Sequence, residues 1–322
     1  MAGMFIDGKW KTKNEFADDD GQFKRDESQF RNWLSADGSS CPDGQKGFQA
    51  EEGRYHLYVS YACPWAHRTL IFRHLKRLEP YIDVSVVHPH MGDKGWHFDK
   101  NFEGATGDRL YGLDFMHELY TKAKSDYTGK VTVPVLWDKK QETIVSNESA
   151  DIIRMFNHAF DHLNGDNQDF YPDALKSEID KINDRVYDTV NNGVYKAGFA
   201  TDQDAYEKAV TALFESLKWL DDMLSDNRNY LVDDTLTEAD IRLLTTLLRF
   251  DAVYHTHFKC NLRMLSDFKN LHGYMGRLYL NKGVKETVHM DHIKTHYYTS
   301  HPTVNPSGIM PKGPILDWYE TE

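Results

Sequence analysis

The chain has 322 residues, 40% hydrophobic and 27% charged, enough for two domains that each bury a core. Its 38 basic and 50 acidic residues leave a net charge of −12, a surface that repels nucleic acid and anionic membranes. No apolar run reaches the roughly 20 residues of a bilayer span. The first residues lack both the apolar core of a secretion signal and the acid-poor composition of a transit peptide, so the expected compartment is the cytoplasm.

Residues 1–53 are polar, with scattered aromatics at Trp10, Phe16, Phe23, Phe30 and Trp33, and read as an extension that drapes over the globular part rather than as disorder. Tyr55–Val59 reads as a strand and Ser60-Tyr61-Ala62-Cys63-Pro64 as a loop. Apolar residues at 66, 70, 71, 75 and 78 then predict a helix over Trp65–Leu78. Val84–Val87 is a second strand. Residues 88–128 form a long polar insertion, of the kind that is often functional in a compact unit. Val131–Leu136 and Thr143–Val145 read as a strand pair, and Ser146-Asn147-Glu148-Ser149 opens a helix over Ala150–Phe156. The order β-α-β-(insertion)-β-β-α is that of a thioredoxin-like domain, set at residues 54–160.

Asn157–Pro172 has linker composition. Residues 161–322 then read as a helical domain with an extended tail. One apolar stripe runs through Leu175, Ile179, Ile182, Val186 and Val190, and another through Ala205, Ala209, Leu213, Leu217 and Leu220. Thr237 and Asp240 make a capping box before Ile241, and Phe268, Leu271, Met275 and Leu278 predict a last helix. Pro302, Pro306, Pro311 and Pro314 bar the tail from forming one long helix.

Chemistry concentrates at one cysteine. Cys41, Cys63 and Cys260 are too far apart in sequence for a disulfide framework or a paired zinc site. Only Cys63 stands where a strand passes into a helix, with peptide N–H groups and the helix dipole favouring its thiolate. Pro64 starts the helix well, and His67 and Arg68 add positive potential nearby. Cys63-Pro64-Trp65-Ala66 lacks the second cysteine of a dithiol motif, so turnover needs an external thiol, of which glutathione is the abundant one. Thr132-Val133-Pro134 before a strand is where this fold places a cis proline that exposes backbone for an extended peptide. Glu148-Ser149 at a helix start suits the γ-glutamyl end of glutathione: helix N-terminal donors and the serine hydroxyl for its carboxylate, Glu148 for its ammonium. For these last two residues ordinary helix capping is the competing explanation.

The stretch Tyr61-Ala62-Cys63-Pro64-Trp65-Ala66-His67-Arg68-Thr69 resembles the signature of the Xi class of glutathione transferases, the glutathionyl-hydroquinone reductases. Gly92-Asp93-Lys94-Gly95-Trp96, Val133-Pro134, Ser146–Ser149 and Leu236–Arg242 match it too, and the resemblance runs from about residue 40 to the C-terminus. It implies a glutathione transferase fold, α/β followed by all-α, and reduction of glutathionyl-hydroquinones or related phenolics to hydroquinones with release of oxidised glutathione. It further implies that Cys63 is the nucleophile, that Trp96, Val133, Glu148 and Ser149 hold glutathione, and that Tyr195, Tyr254 and Tyr297 surround the quinol. Tyr298 beside Tyr297 leaves the register there open by one. No metal is implied, and a homodimer is. Trp96, in a Gly-rich loop, reads as exposed rather than core.

Four other readings stand beside this one. His88-Pro89-His90 is a weak metal signal without a second ligand cluster. An Omega-like thioltransferase or dehydroascorbate reductase shares the Cys-Pro motif but not the insertion and tail. A conjugating transferase would want a hydroxyl in place of the cysteine. A non-catalytic binding module would have no need of Cys63.

Overall fold

The computed structural model describes residues 3–12, 20–40, 46–281 and 283–319; Phe16 and Cys41 lie outside them. The chain divides into two compact units, unit 1 of Met1–Asn14, Asp26–Asp169 and Thr287–Ser300, and unit 2 of Glu15–Arg25, Phe170–Glu286 and His301–Glu322.

Unit 1 starts with a hairpin of β1 (Met4–Ile6) and β2 (Lys9–Lys11). Its turn, Asp7-Gly8, has both residues at positive φ (48° and 69°), the backbone that two-residue hairpins require. A short parallel pair follows, β3 (Trp33–Ser35) and β4 (Gly47–Gln49). The central sheet contains β5 (Tyr55–Val59), β6 (Ile82–Val86), β8 (Val135–Asp138) and β9 (Thr143–Ser146) in the order β6-β5-β8-β9. β5 pairs parallel with β6 and antiparallel with β8. Every residue of β5 is buried, as expected for a central strand covered on both faces. The helices α1 (Pro64–Leu75) and α3 (Ser149–His158) pack against each other. The insertion carries α2 (Met116–Ala123) and leads through β7 (Gly129–Lys130), which pairs with β1. A one-turn helix, α4 (Asp161–Asn164), closes the stretch.

Two predicted boundaries move by three residues or more. α1 stops at Leu75 instead of running to Leu78, because Arg77 takes a left-handed φ of 52°. The strand expected from Val131 begins at Val135, after Pro134, which has no N–H for a ladder. The Val133–Pro134 peptide is cis.

Unit 2 is helical: α5 (Lys176–Val186), α6 (Gly193–Gly198), α7 (Gln203–Met223), α8 (Glu238–Arg249), the single turn α9 (His255–His257) and α10 (Lys269–Tyr279). All residues of α8 are buried, so it is the central helix of this unit. Asp240 closes its capping box, accepting the Thr237 N–H (2.8 Å) and hydroxyl (3.0 Å), and also takes the Leu231 N–H and the Tyr274 hydroxyl. Two π-helical turns, Tyr187–Asn191 and Phe250–Tyr254, interrupt the α-helical run. Sequence periodicity gave no sign of them.

The tail divides. Residues Thr287–Ser300, read from sequence as part of the helical domain, cluster with unit 1. They contain α11 (Met290–Ser300), which ends ahead of Pro302. Side-chain bonds hold this segment: His67 Nε2 to Thr287 Oγ1 (2.7 Å), His90 Nδ1 to Thr299 Oγ1 (2.9 Å), His292 Nε2 to the Glu103 carbonyl (2.6 Å) and His296 Nδ1 to the Pro89 carbonyl (3.0 Å). His90 of the His88-Pro89-His90 motif therefore serves as a cross-link to this segment. Among the described residues no group of three or more His, Cys, Asp or Glu side chains could hold a metal ion, and no helix is long and apolar enough to cross a membrane.

Candidate active site

β5 ends at the middle of the sheet and delivers the chain to the start of α1. Ser60 shapes the intervening turn: its hydroxyl accepts the Ala62 N–H (3.2 Å) and its carbonyl the Cys63 N–H (3.2 Å). Cys63 is the N-cap residue of α1, extended at φ −77° and ψ 121°, with Pro64 at the first helical position and the His67 N–H bonded to the Cys63 carbonyl (2.9 Å). Because Pro64 has no N–H, the backbone donors of the first turn start at Trp65. The Cys63 side chain is half-buried, sheltered yet reachable. Its thiol donates to the Val133 carbonyl at 3.5 Å, so residues 70 positions apart meet at one point. The Arg68 guanidinium lies 4.5 Å from the centre of the Trp65 ring, and the His67 imidazole bonds Thr287.

The turn after β9 forms a second feature. Glu148 caps α3, its Oε1 accepting the Ala150 N–H (3.1 Å) and its Oε2 the Ser28 hydroxyl (3.0 Å). Ser149 occupies the first position of the helix. Its Oγ is buried and has no hydrogen-bond partner among the described residues, although the residue is only 2% exposed. Buried hydroxyls normally bond something, and leaving one unpaired costs about 1–3 kcal/mol. A hydroxyl held this way at a helix N-terminus suits an anionic ligand group.

Ser28 belongs to a segment the sequence had shown only as extension. Here that segment runs along the outer edge of β9: the Asn32 N–H bonds the Val145 carbonyl (2.9 Å), the Asn147 N–H bonds the Phe30 carbonyl (3.1 Å), and Arg31 pairs with Asp151 at 2.7 Å. An edge strand's unpaired backbone groups are thereby satisfied. Nothing in the local sequence marks Ser28.

Trp96 is corrected by the structure. It is 7% exposed, not exposed, because the His296 ring of α11 stacks on it at 4.7 Å and 23°. The Trp96 carbonyl accepts the Met116 N–H at the start of α2 (2.9 Å). Trp10 of the hairpin donates its indole N–H to the Asp93 carbonyl (3.0 Å) in the same loop.

In unit 2, Tyr195 and Tyr254 lie 6.0 Å apart in an aromatic cluster with Phe199 and Phe258. Tyr195 is half-buried and stacks on Phe23, while the Arg25 guanidinium sits 5.2 Å from its ring and bonds Asn192. Tyr254, in the second π-turn, is fully enclosed. π-turns recur at functional positions. Tyr297 and Tyr298 are both buried in α11 of unit 1. The third cysteine differs from Cys63 in kind: Cys260 is fully enclosed and burial pushes its thiol well above the ordinary range.

The family models described as "Glutathione S-transferase, N-terminal domain" and "Glutathione S-transferase, C-terminal domain" match residues 62–159 and 203–277. The chain is 58% identical to the glutathionyl-hydroquinone reductase YqjG of Escherichia coli, over 99% of this chain and 97% of that protein. Its structure resembles a Xi-class glutathione transferase from Natrialba magadii with a TM-score of 0.90 at 49% identity, covering 99% of this chain and 95% of the other. The chain belongs to the Xi-class glutathione transferases. The glutathionyl-hydroquinone reductase PcpF of Sphingobium chlorophenolicum is 50% identical over 97% of this chain and 96% of its own length. The glutathione-bound structure of YqjG superposes on this Xi-class chain with a TM-score of 0.91, covering 99% and 97% of the two chains.

Proposed function

We propose that the protein reduces glutathionyl-hydroquinones to hydroquinones, with glutathione as co-substrate and oxidised glutathione as co-product. The observation that carries this reading is Cys63: a half-buried thiol at the N-cap of α1, 3.5 Å from the Val133 carbonyl. The thiolate attacks the glutathionyl sulfur and forms a disulfide with it. The bond between that sulfur and the ring carbon breaks, its electron pair passing to the ring. That carbon takes up a proton and the hydroquinone leaves. A second glutathione thiolate then attacks the mixed disulfide, releasing oxidised glutathione and restoring Cys63. The aromatic ring gains the two electrons that the two glutathione thiols lose.

Trp96, Val133, Glu148 and Ser149 hold the glutathionyl group in this proposal. The unpartnered Ser149 hydroxyl supports the carboxylate end of that assignment. Tyr195, Tyr254 and Tyr297 are assigned to the quinol, whose flat ring and two oxygens suit phenolic side chains. We further assign the protein to the cytoplasm and to a homodimer. The test is turnover of glutathionyl-menadiol with glutathione, following menadiol and oxidised glutathione together. The wild-type protein produces both in equal amounts and Cys63→Ser produces neither. Wild-type rates in Cys63→Ser, or turnover of dehydroascorbate in place of the glutathionylated quinol, would refute the assignment.

A further inference from the structure

Two separate segments of unit 1 are assigned above to the glutathionyl group, the one presenting Val133 and the turn presenting Glu148 and Ser149. A single buried hydroxyl joins them. Tyr120, on α2 of the insertion, is 0% exposed. Its O–H donates to the Thr132 carbonyl (2.9 Å) and accepts the Thr132 N–H (3.3 Å) and the Asn147 side-chain N–H (3.2 Å). A phenol has one donor and two acceptor positions, and all are filled here. Thr132 immediately precedes Val133, and Asn147 immediately precedes Glu148. The other end of the Asn147 amide accepts the Phe30 N–H (3.2 Å), and Ser28, two residues earlier, reaches the Glu148 carboxylate (3.0 Å). The chain Thr132–Tyr120–Asn147–Phe30 therefore ties the backbone beside Cys63 to the carboxylate of Glu148, through the insertion and the N-terminal segment.

We propose that Tyr120 is a positioning residue for glutathione, setting the spacing between Val133 and the Glu148–Ser149 turn; this rests on the glutathione reading above. Tyr120 touches neither the reacting sulfur nor the ligand in this scheme. It acts through Thr132 and Asn147, whose groups lose a buried partner when the hydroxyl is removed, and such groups are costly to leave unpaired. Glutathionyl-quinol and glutathione are gripped by the same pocket, so loss of the link weakens both alike.

Tyr127 serves as the matched control. It is buried in the same aromatic cluster, 5.1 Å from Tyr120, and its hydroxyl donates to the Lys130 carbonyl (2.8 Å) rather than to Thr132 or Asn147. Tyr120→Phe and Tyr127→Phe are compared by calorimetric binding of S-methylglutathione, which cannot react at its sulfur, and by steady-state kinetics on glutathionyl-menadiol. In Tyr120→Phe, Kd for S-methylglutathione and KM for both substrates rise about ten-fold while kcat stays within about two-fold, the loss expected for a buried hydrogen-bond hub. In Tyr127→Phe they stay at wild-type values. Unchanged Kd and KM in Tyr120→Phe, or equal rises in both variants, overturn the proposal. Wild-type protein that binds S-methylglutathione but turns over no glutathionyl-quinol refutes the functional reading and leaves the positioning result standing. If Tyr120→Phe does not fold, Asn147→Ala cuts the same link: a ten-fold rise supports the proposal and an unchanged Kd overturns it.

Discussion

Ser149→Ala separates a ligand contact from a structural one by the sign of its effect on stability. The Ser149 hydroxyl is buried without a partner among the described residues, and an ordinary capping serine would have one. Removing it relieves a desolvation penalty of about 1–3 kcal/mol. Taking the low end, the ligand-free variant gains about 1 kcal/mol, and its Tm rises by about 2–4 °C. With glutathione the order inverts. A hydrogen bond to a carboxylate contributes about 1.5–3 kcal/mol, so Kd weakens by about 10- to 100-fold. At a concentration of 100 times the wild-type Kd, glutathione stabilises the wild type by about 2.7 kcal/mol. A variant with a 50-fold weaker Kd gains only about 0.7 kcal/mol from the same solution. The wild type is then ahead by about 1 kcal/mol, where without ligand it was behind by as much. Thermal unfolding of both proteins across a glutathione titration reads this crossover. A variant less stable than wild type at zero glutathione would show that the hydroxyl already has a structural partner, and the argument from its isolation would fall.

Alkylation by iodoacetamide followed by peptide mapping should label Cys63 quickly in the folded protein and Cys260 only after denaturation, since burial holds the Cys260 thiol protonated; rapid native labelling of Cys260 would contradict its enclosure. Burial also pulls His56 and His257 down to about 4. Both stay neutral in the folded state while the unfolded chain takes up protons below about 6.5, so stability falls as pH drops from there toward 4. The loss is about 2 kcal/mol per group by pH 5, and urea unfolding at pH 8 and pH 5 should show a smaller difference in His56→Gln than in wild type; equal differences would place His56 in water. Asp240→Ala strips the acceptor from four donors inside unit 2 and should cost about 3 kcal/mol or more, with KM for glutathione unchanged in the protein that remains folded. A loss below about 1 kcal/mol in denaturant titration would refute that account of the α8 start.

How far each part was legible follows from how local its cause is. The order of strands and helices in unit 1 was readable because β5, Ser60–Pro64 and α1 are contiguous, and a short strand of aromatic and aliphatic residues followed by Cys-Pro and a helical stripe is decided within about 20 residues. The capping box at Thr237 and Asp240 was readable for the same reason: its two members are three positions apart. Val133, Glu148 and Ser149 entered through fold position and family resemblance. The burial of Trp96 was not readable, because the ring that covers it, His296, lies 200 positions away in sequence. Nor was the role of Ser28, whose partner is 120 residues distant. Tyr120 was one tyrosine among 18, and only the meeting of Thr132 and Asn147 around its hydroxyl set it apart.

The amino-acid sequence by itself determined the two kinds of domain and the place of Cys63 at a strand-to-helix junction, because periodicity, capping and a Cys-Pro step between a strand and a helical stripe are properties of neighbouring residues. Only the tertiary structure decided that Cys63 lies against the Val133 carbonyl, that Ser149 keeps a buried hydroxyl unpaired, and that residues 287–300 return to unit 1. Those facts depend on hydrogen bonds and ring contacts between segments remote in sequence, and such contacts leave no periodic trace in either partner.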